Sequence, residues 1–249
     1  MDPGTTGPEP RPVPGGPGSL KVDLGGAVVE LELTDPALLE QMVGRYRGFT
    51  TEATGADLVL SQDAGVRGTL AAGGTALRVP VELGVDSGYV DGLIRTWLPE
   101  LVTPSLMAHG ALLTDGEMTF LCCGSSGSGK STLATLLRDR ALCDELALLR
   151  PTTDGFHGVS LPFWAARPGG GPLGGVFVLE HASEHRRHRL RPADAVRELR
   201  RHVYWPTRSP TAMAAALGNL VTLAGSIPTW RLGFRRDAGI WQVIREPAA

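Results

Sequence analysis

The apolar positions of this chain fall into short runs of two kinds, some alternating with polar residues and some recurring every three or four positions. Residues 1–18 contain neither kind. Their proline and glycine leave almost nothing to bury, which predicts a disordered leader. Residues 27–33 partly alternate and read as a strand. Thr34-Asp35-Pro36 then offers a capping side chain with proline in the first turn, followed by Leu38, Leu39 and Met42 at helical spacing. Residues 57–61 read as a second strand, and Gly84-Val85-Asp86-Ser87 as the start of a helix running to Trp97. Together these make residues 19–104 a small α/β N-terminal region.

From Ser105 the character changes. Residues 106–113 are strand-like, Thr114-Asp115-Gly116-Glu117 is a hairpin turn, and residues 118–123 form a strand running straight into a glycine-rich loop. Leu133, Leu136 and Leu137 put an apolar helical face behind that loop. A third strand, residues 141–143, ends at Asp144-Glu145. Farther on the pattern predicts a strand at residues 176–179, a helix after Pro192, a helix from Pro210 to about Ala224, and closing strands near Trp230 and Trp241. Alternating strands and helices make residues 105–249 an α/β domain.

The loop changes this picture most. Gly124-Ser125-Ser126-Gly127-Ser128-Gly129-Lys130-Ser131-Thr132 meets the P-loop pattern G-x-x-x-x-G-K-[ST] in full, between a strand and a helix. Its glycines let consecutive N–H groups turn toward one anion, and the helix start adds positive potential. Lys130 is expected to reach the β- and γ-phosphates of ATP, and the Ser131 hydroxyl to ligate Mg²⁺. Of 24 basic residues only Lys21 and Lys130 are lysines, the arginine bias of a GC-rich bacterial genome. A lysine kept at position 130 supplies the compact ammonium that a phosphate cradle needs.

Charge and cysteine content narrow the setting. A net charge of −2 gives no bulk attraction to nucleic acid or to anionic membrane, and no apolar run is long enough to span a bilayer. The N-terminus lacks the basic-then-apolar order of a secretory signal, and the three cysteines form no disulfide framework, so a cytoplasmic protein is expected. Cys122 and Cys123, adjacent on a strand, point to opposite faces and read as core residues.

Asp144-Glu145 follows a short apolar strand, 14 residues after Lys130, as a P-loop protein's acidic motif should. ABC-type ATPases carry such a pair much farther downstream, after a signature segment that is missing here. His109-Gly110, the P-loop and Asp144-Glu145 together resemble the HPr serine kinase/phosphorylase family and its short relatives, which have a phosphoenolpyruvate-carboxykinase-like P-loop fold. Leu161-Pro162-Phe163-Trp164, Phe177-Val178-Leu179-Glu180 and Trp230-Arg231-Leu232-Gly233-Phe234 resemble segments of those relatives. The resemblance implies that Asp144 is the general base, Glu145 a Mg²⁺ ligand with Ser131, and His109 the residue that orients or tunes Asp144. It implies ATP- and Mg²⁺-dependent transfer to a hydroxyl, a serine of a small acceptor protein or peptide. No segment matches the one that marks phosphorylase activity. The same chemistry would serve a small-molecule kinase, including one for a free amino acid, or an enzyme tailoring a ribosomal peptide. A nucleotide-binding regulator without turnover is the remaining class.

Three further features are candidates. His181, His185 and His188 have helical spacing and read either as a metal site or as solvated surface. Arg186, Arg187, Arg231 and Arg235 are candidate phosphate contacts. Trp164, Trp205, Trp230 and Trp241 read as core, with adenine stacking as the alternative.

Overall fold

A computed structural model describes residues 18–62, 76–163 and 166–246. The expected leader, apart from Gly18, and Trp164 lie outside the described residues. Among the described residues no helix is long and apolar enough to cross a membrane.

The first four strands are β1 (Ser19–Asp23), β2 (Val28–Glu32), β3 (Leu58–Ser61) and β4 (Leu77–Pro80), hydrogen-bonded in that order. The first pair is an antiparallel hairpin and the next two pairings are parallel. Helix α1 (Pro36–Arg45) begins as its sequence predicts, with the Asp35 side chain accepting from the Ala37 and Leu38 N–H groups. Helix α2 (Ser87–Leu101) is capped by Asp86 but runs past the expected end at Trp97. Pro99 lies inside it, and burial of Leu98 and Pro99 offsets the backbone bond that proline cannot make.

The larger sheet is built from β5 (Leu106–Thr114), β6 (Thr119–Cys123), β7 (Ala141–Cys143), β8 (Leu146–Thr152), β9 (Gly155–Ser160), β10 (Gly170–His181), β11 (Arg186–Arg189), β12 (Val203–Tyr204) and β13 (Thr229–Phe234). Its order is β11-β13-β10-β6-β5-β8-β9, with β7 and β12 also pairing with β5. Strand β10 is long enough to meet β9 at its start and β6 and β13 farther along, so the sheet folds back on itself.

Helices α3 (Lys130–Leu136) and α6 (Ile240–Arg245) cover one face, and α4 (Pro192–Leu199) and α5 (Pro210–Ser226) the other. Alternation along β6 sends Phe120 and Cys122 to the first face and Leu121 and Cys123 to the second, so the adjacent cysteines do enter separate cores. A third core joins the four-stranded sheet and its two helices to Met107, Leu146 and Leu148 of the larger sheet and to Phe163 just after β9. The N-terminal elements therefore pack directly on the strands that carry the site.

Two expectations are corrected. The segment at Trp241 is helical, because Ile240 and Ile244 bury one side of a short turn-and-a-half. The basic run is neither helix nor loop throughout: its second half is edge strand β11, paired antiparallel with β13. Strand β7 ends at Asp144-Glu145 as expected, and β8 and β9, which the sequence analysis does not include, follow as a hairpin turning at Thr153-Asp154.

Candidate functional site

Strand β6 delivers the chain into the loop at Gly124, and the loop ends at Gly129, whose φ of +101° is open to glycine at little cost. A Cβ there would also stand 2.7 Å from Phe234 Cζ, so the loop is seated on the end of β13. The Lys130 ammonium is buried and donates to Gly124 O at 2.9 Å and to Ser125 O at 3.2 Å, turning back over the loop that precedes it. Helix α3 has only seven residues, so the cradle depends more on loop N–H groups and Lys130 than on a helix dipole.

The His109-Gly110 pair has a backbone explanation. His109 N donates to His202 O at 2.7 Å, and Gly110 N donates to Glu145 O at 3.0 Å. A Cβ on residue 110 would stand 2.8 Å from Cys122 O, the carbonyl just ahead of the phosphate loop. Glycine at this point lets β5 lie close enough to hold the acid pair against the loop.

His109, Ser126, Gly127, Gly129, Lys130, Ser131, Thr132, Asp144 and Glu145 line a single cleft of about 480 Å³. Gly124, Ser125 and Ser128 are not among the residues lining it; Gly124 and Ser128 are buried and Ser125 is exposed. The expectation that His109 orients Asp144 is not met. His109 Nε2 stands 3.7 Å from Glu145 Oε2, and Arg95 Nη1 stands 3.4 Å from Glu145 Oε1. Asp144 Oδ1 is buried with no hydrogen-bond partner among the described residues. Glu145 is thus paired with Arg95 and has the His109 ring beside it, while Asp144 keeps a free oxygen.

Burial holds the His109 imidazole below its ordinary pKa, and the Lys130 charge lowers it further against the opposing pull of Glu145. Burial does the same to His202, again helped by Lys130. The lowered value leaves the His109 imidazole, which lies beside Glu145, mainly neutral near pH 7.

Several residues were not legible as site residues. Arg95 reaches Glu145 from α2, 50 positions away in the chain, with its guanidinium 4.9 Å from the Phe163 ring centroid. Arg236 lines the cleft, and so does His181, whose Nε2 donates to Gly127 O at 2.7 Å. The three-histidine metal reading fails: His185 bonds Asp237, His188 lies on β11, and no group of three His, Cys, Asp or Glu able to hold a metal occurs among the described residues. The four expected arginines pair with acids instead: Arg186 with Glu180, Arg187 with Glu246, Arg231 with Glu198 and Arg235 with Asp237. Trp230 lies under Arg187 and Arg189, and Trp241 under Arg140, so both are packed away from the cleft. Trp205 donates to Arg200 O.

No family model and no curated protein matches the chain. Among solved structures, the HPr(Ser) kinase/phosphatase from Coxiella burnetii is similar over 53% of this chain and 81% of its own, at 10% identity and a TM-score of 0.29. Those values are below the level at which a shared fold or function follows. The site's own chemistry carries the functional reading.

Proposed function

We propose that this chain is an ATP-dependent phosphotransferase of the HPr-serine-kinase-like, carboxykinase-like kind, with residues 105–249 as its P-loop domain and residues 19–104 as a small α/β support. The observation that carries the reading is that Lys130 and Ser131 share a cleft with Asp144 and with a Glu145 that is paired with Arg95 and has the His109 ring beside it. A phosphate loop facing a positioned carboxylate is what transfer to a hydroxyl requires: charge neutralisation, alignment and one proton acceptor.

A divalent cation suits this donor set. The buried, unpartnered Asp144 oxygen and the Ser131 hydroxyl would hold it, and Mg²⁺ commonly takes only one or two protein ligands beside substrate phosphates. When bound, it would draw charge from the phosphoryl oxygens. These contacts favour exchanging the roles implied by the family resemblance, with Asp144 toward the metal and Glu145 as base. Glu145 would take the proton of the acceptor hydroxyl as the new O–P bond forms and the bond to the β-phosphate oxygen breaks, releasing ADP. Arg95 holds that carboxylate in place, as the third group orients the base in other proton-transfer sites. The acceptor we favour is a serine of a small cytoplasmic protein or peptide.

The test is transfer of labelled γ-phosphate to candidate serine peptides and free amino acids by wild type, Glu145→Gln and Asp144→Asn. Glu145→Gln should lose about 10²–10⁴-fold in rate, the usual worth of a positioned base, while still binding ATP. Asp144→Asn should need more Mg²⁺. The reverse pattern would return the base to Asp144, and full activity in both would remove the kinase reading.

A further inference from the structure

The cleft contains a cation that the reading above leaves unused. Arg236 lies on the turn between β13 and α6 and lines the same cleft as Ser126, Gly127 and Lys130. Among the described residues it has no hydrogen-bond or ion-pair partner, although its neighbours on both sides do. The Asp237 carboxylate accepts from His185 Nε2 at 2.8 Å, from the Arg235 guanidinium and from Gly239 N at 2.9 Å. Those hydrogen bonds, from His185 first and then Arg235, push the Asp237 carboxyl down to about 2, so it remains an anion able to hold the turn. At the other end of the turn, buried Phe234 packs where a Cβ of Gly129 would be. The backbone around Arg236 is therefore pinned to the phosphate loop on one side and to the basic edge on the other, while its side chain stays free at the cleft.

We infer that Arg236 is a second phosphate-binding cation, contacting the terminal phosphate of a bound nucleoside triphosphate. Lys130 already has its task at the β- and γ-phosphates in the proposed function, and Arg95 is engaged with Glu145, so among the described cleft residues Arg236 is the guanidinium left free to meet an added anionic group. A guanidinium presents two parallel N–H donors that match two oxygens of one phosphoryl group. The acids Asp144 and Glu145 add negative charge beside the place where that group would sit, which raises the value of an opposing cation there. This inference rests on the phosphotransferase reading and assigns a specific discrimination to it: preference for a triphosphate over a diphosphate.

Isothermal titration of the full chain with the imido analogue of ATP and with ADP, both with Mg²⁺, tests it in wild type, Arg236→Gln and Arg236→Lys. Arg236→Gln should weaken the triphosphate about tenfold and ADP by less than about twofold, as loss of one charge-assisted contact predicts. Arg236→Lys should fall between, retaining charge without the fork. Equal losses for both nucleotides, or none, would overturn the role of Arg236 while leaving nucleotide binding intact. A wild type that binds neither nucleotide would instead overturn the phosphotransferase reading and this inference with it.

Discussion

Removing the Asp91 carboxylate should damage both stability and the site, because it anchors the helix that reaches Glu145. Asp91 is 3% exposed. It accepts a 2.6 Å hydrogen bond from the Tyr46 hydroxyl and forms an ion pair with Arg45. Asp91→Ala would remove the carboxylate that the buried Tyr46 phenol and the mostly buried Arg45 guanidinium share. Breaking such a pair costs about 3–5 kcal/mol, and the 23% exposure of Arg45 puts this case near 3. For a chain of this size that lowers Tm by roughly 6–12 °C. Tyr46→Phe leaves the ion pair standing and should cost about 1.5 kcal/mol, or roughly 3–6 °C. The double variant should melt close to Asp91→Ala alone, since both changes remove the same hydrogen bond. Asp91 sits one helical turn before Arg95, so turnover should also fall at temperatures where the variant remains folded. Thermal denaturation followed by far-UV circular dichroism gives the four Tm values. If Asp91→Ala melted within about 1 °C of wild type, the buried network would not hold α2 in place.

Burial pushes the Cys123 and Cys143 thiols up to about 12 and the Cys122 thiol well above its ordinary range. At about pH 8 iodoacetamide should therefore leave the native protein unlabelled and modify all three thiols in denaturant, and rapid native labelling would contradict the buried placement. Burial first, and then the Asp91 carboxylate, raise the Tyr46 phenol well above its usual pKa. Because the folded value is the higher one, this contribution to stability is complete below the unfolded value near 10 and is lost as pH rises through the folded value. An ultraviolet titration should show one of the three tyrosines ionising only as the protein unfolds.

The parts legible in the sequence were those whose chemistry is local. The loop from Gly124 to Thr132, the hairpin before it and the Asp35 cap each depend on neighbours a few positions away, and each formed as its residues predict. Adjacent cysteines on a strand had only one way to face. The placement of His109 beside Glu145 was not legible, because it depends on β5 and β8 being paired, with His109 opposite Leu146. Arg95 was hidden for the same reason, since its role appears only when α2 packs on Phe163 and the acid turn. Arg236 was passed over for four other arginines, whose acidic partners became visible only in the fold. The short segment at Trp241 had too few residues for a helical period to separate from a strand.

The central claim is that Lys130 holds nucleotide phosphates in a P-loop cleft. It is tested most directly by titrating Mg²⁺-ATP into wild type, Lys130→Ala and Lys130→Arg at one ionic strength. Lys130→Ala should bind at least about tenfold more weakly, as loss of a charge-assisted contact requires, and arginine should rescue little because its planar fork does not fit where the ammonium meets Gly124 O and Ser125 O. Wild-type affinity in Lys130→Ala would contradict the account at its base.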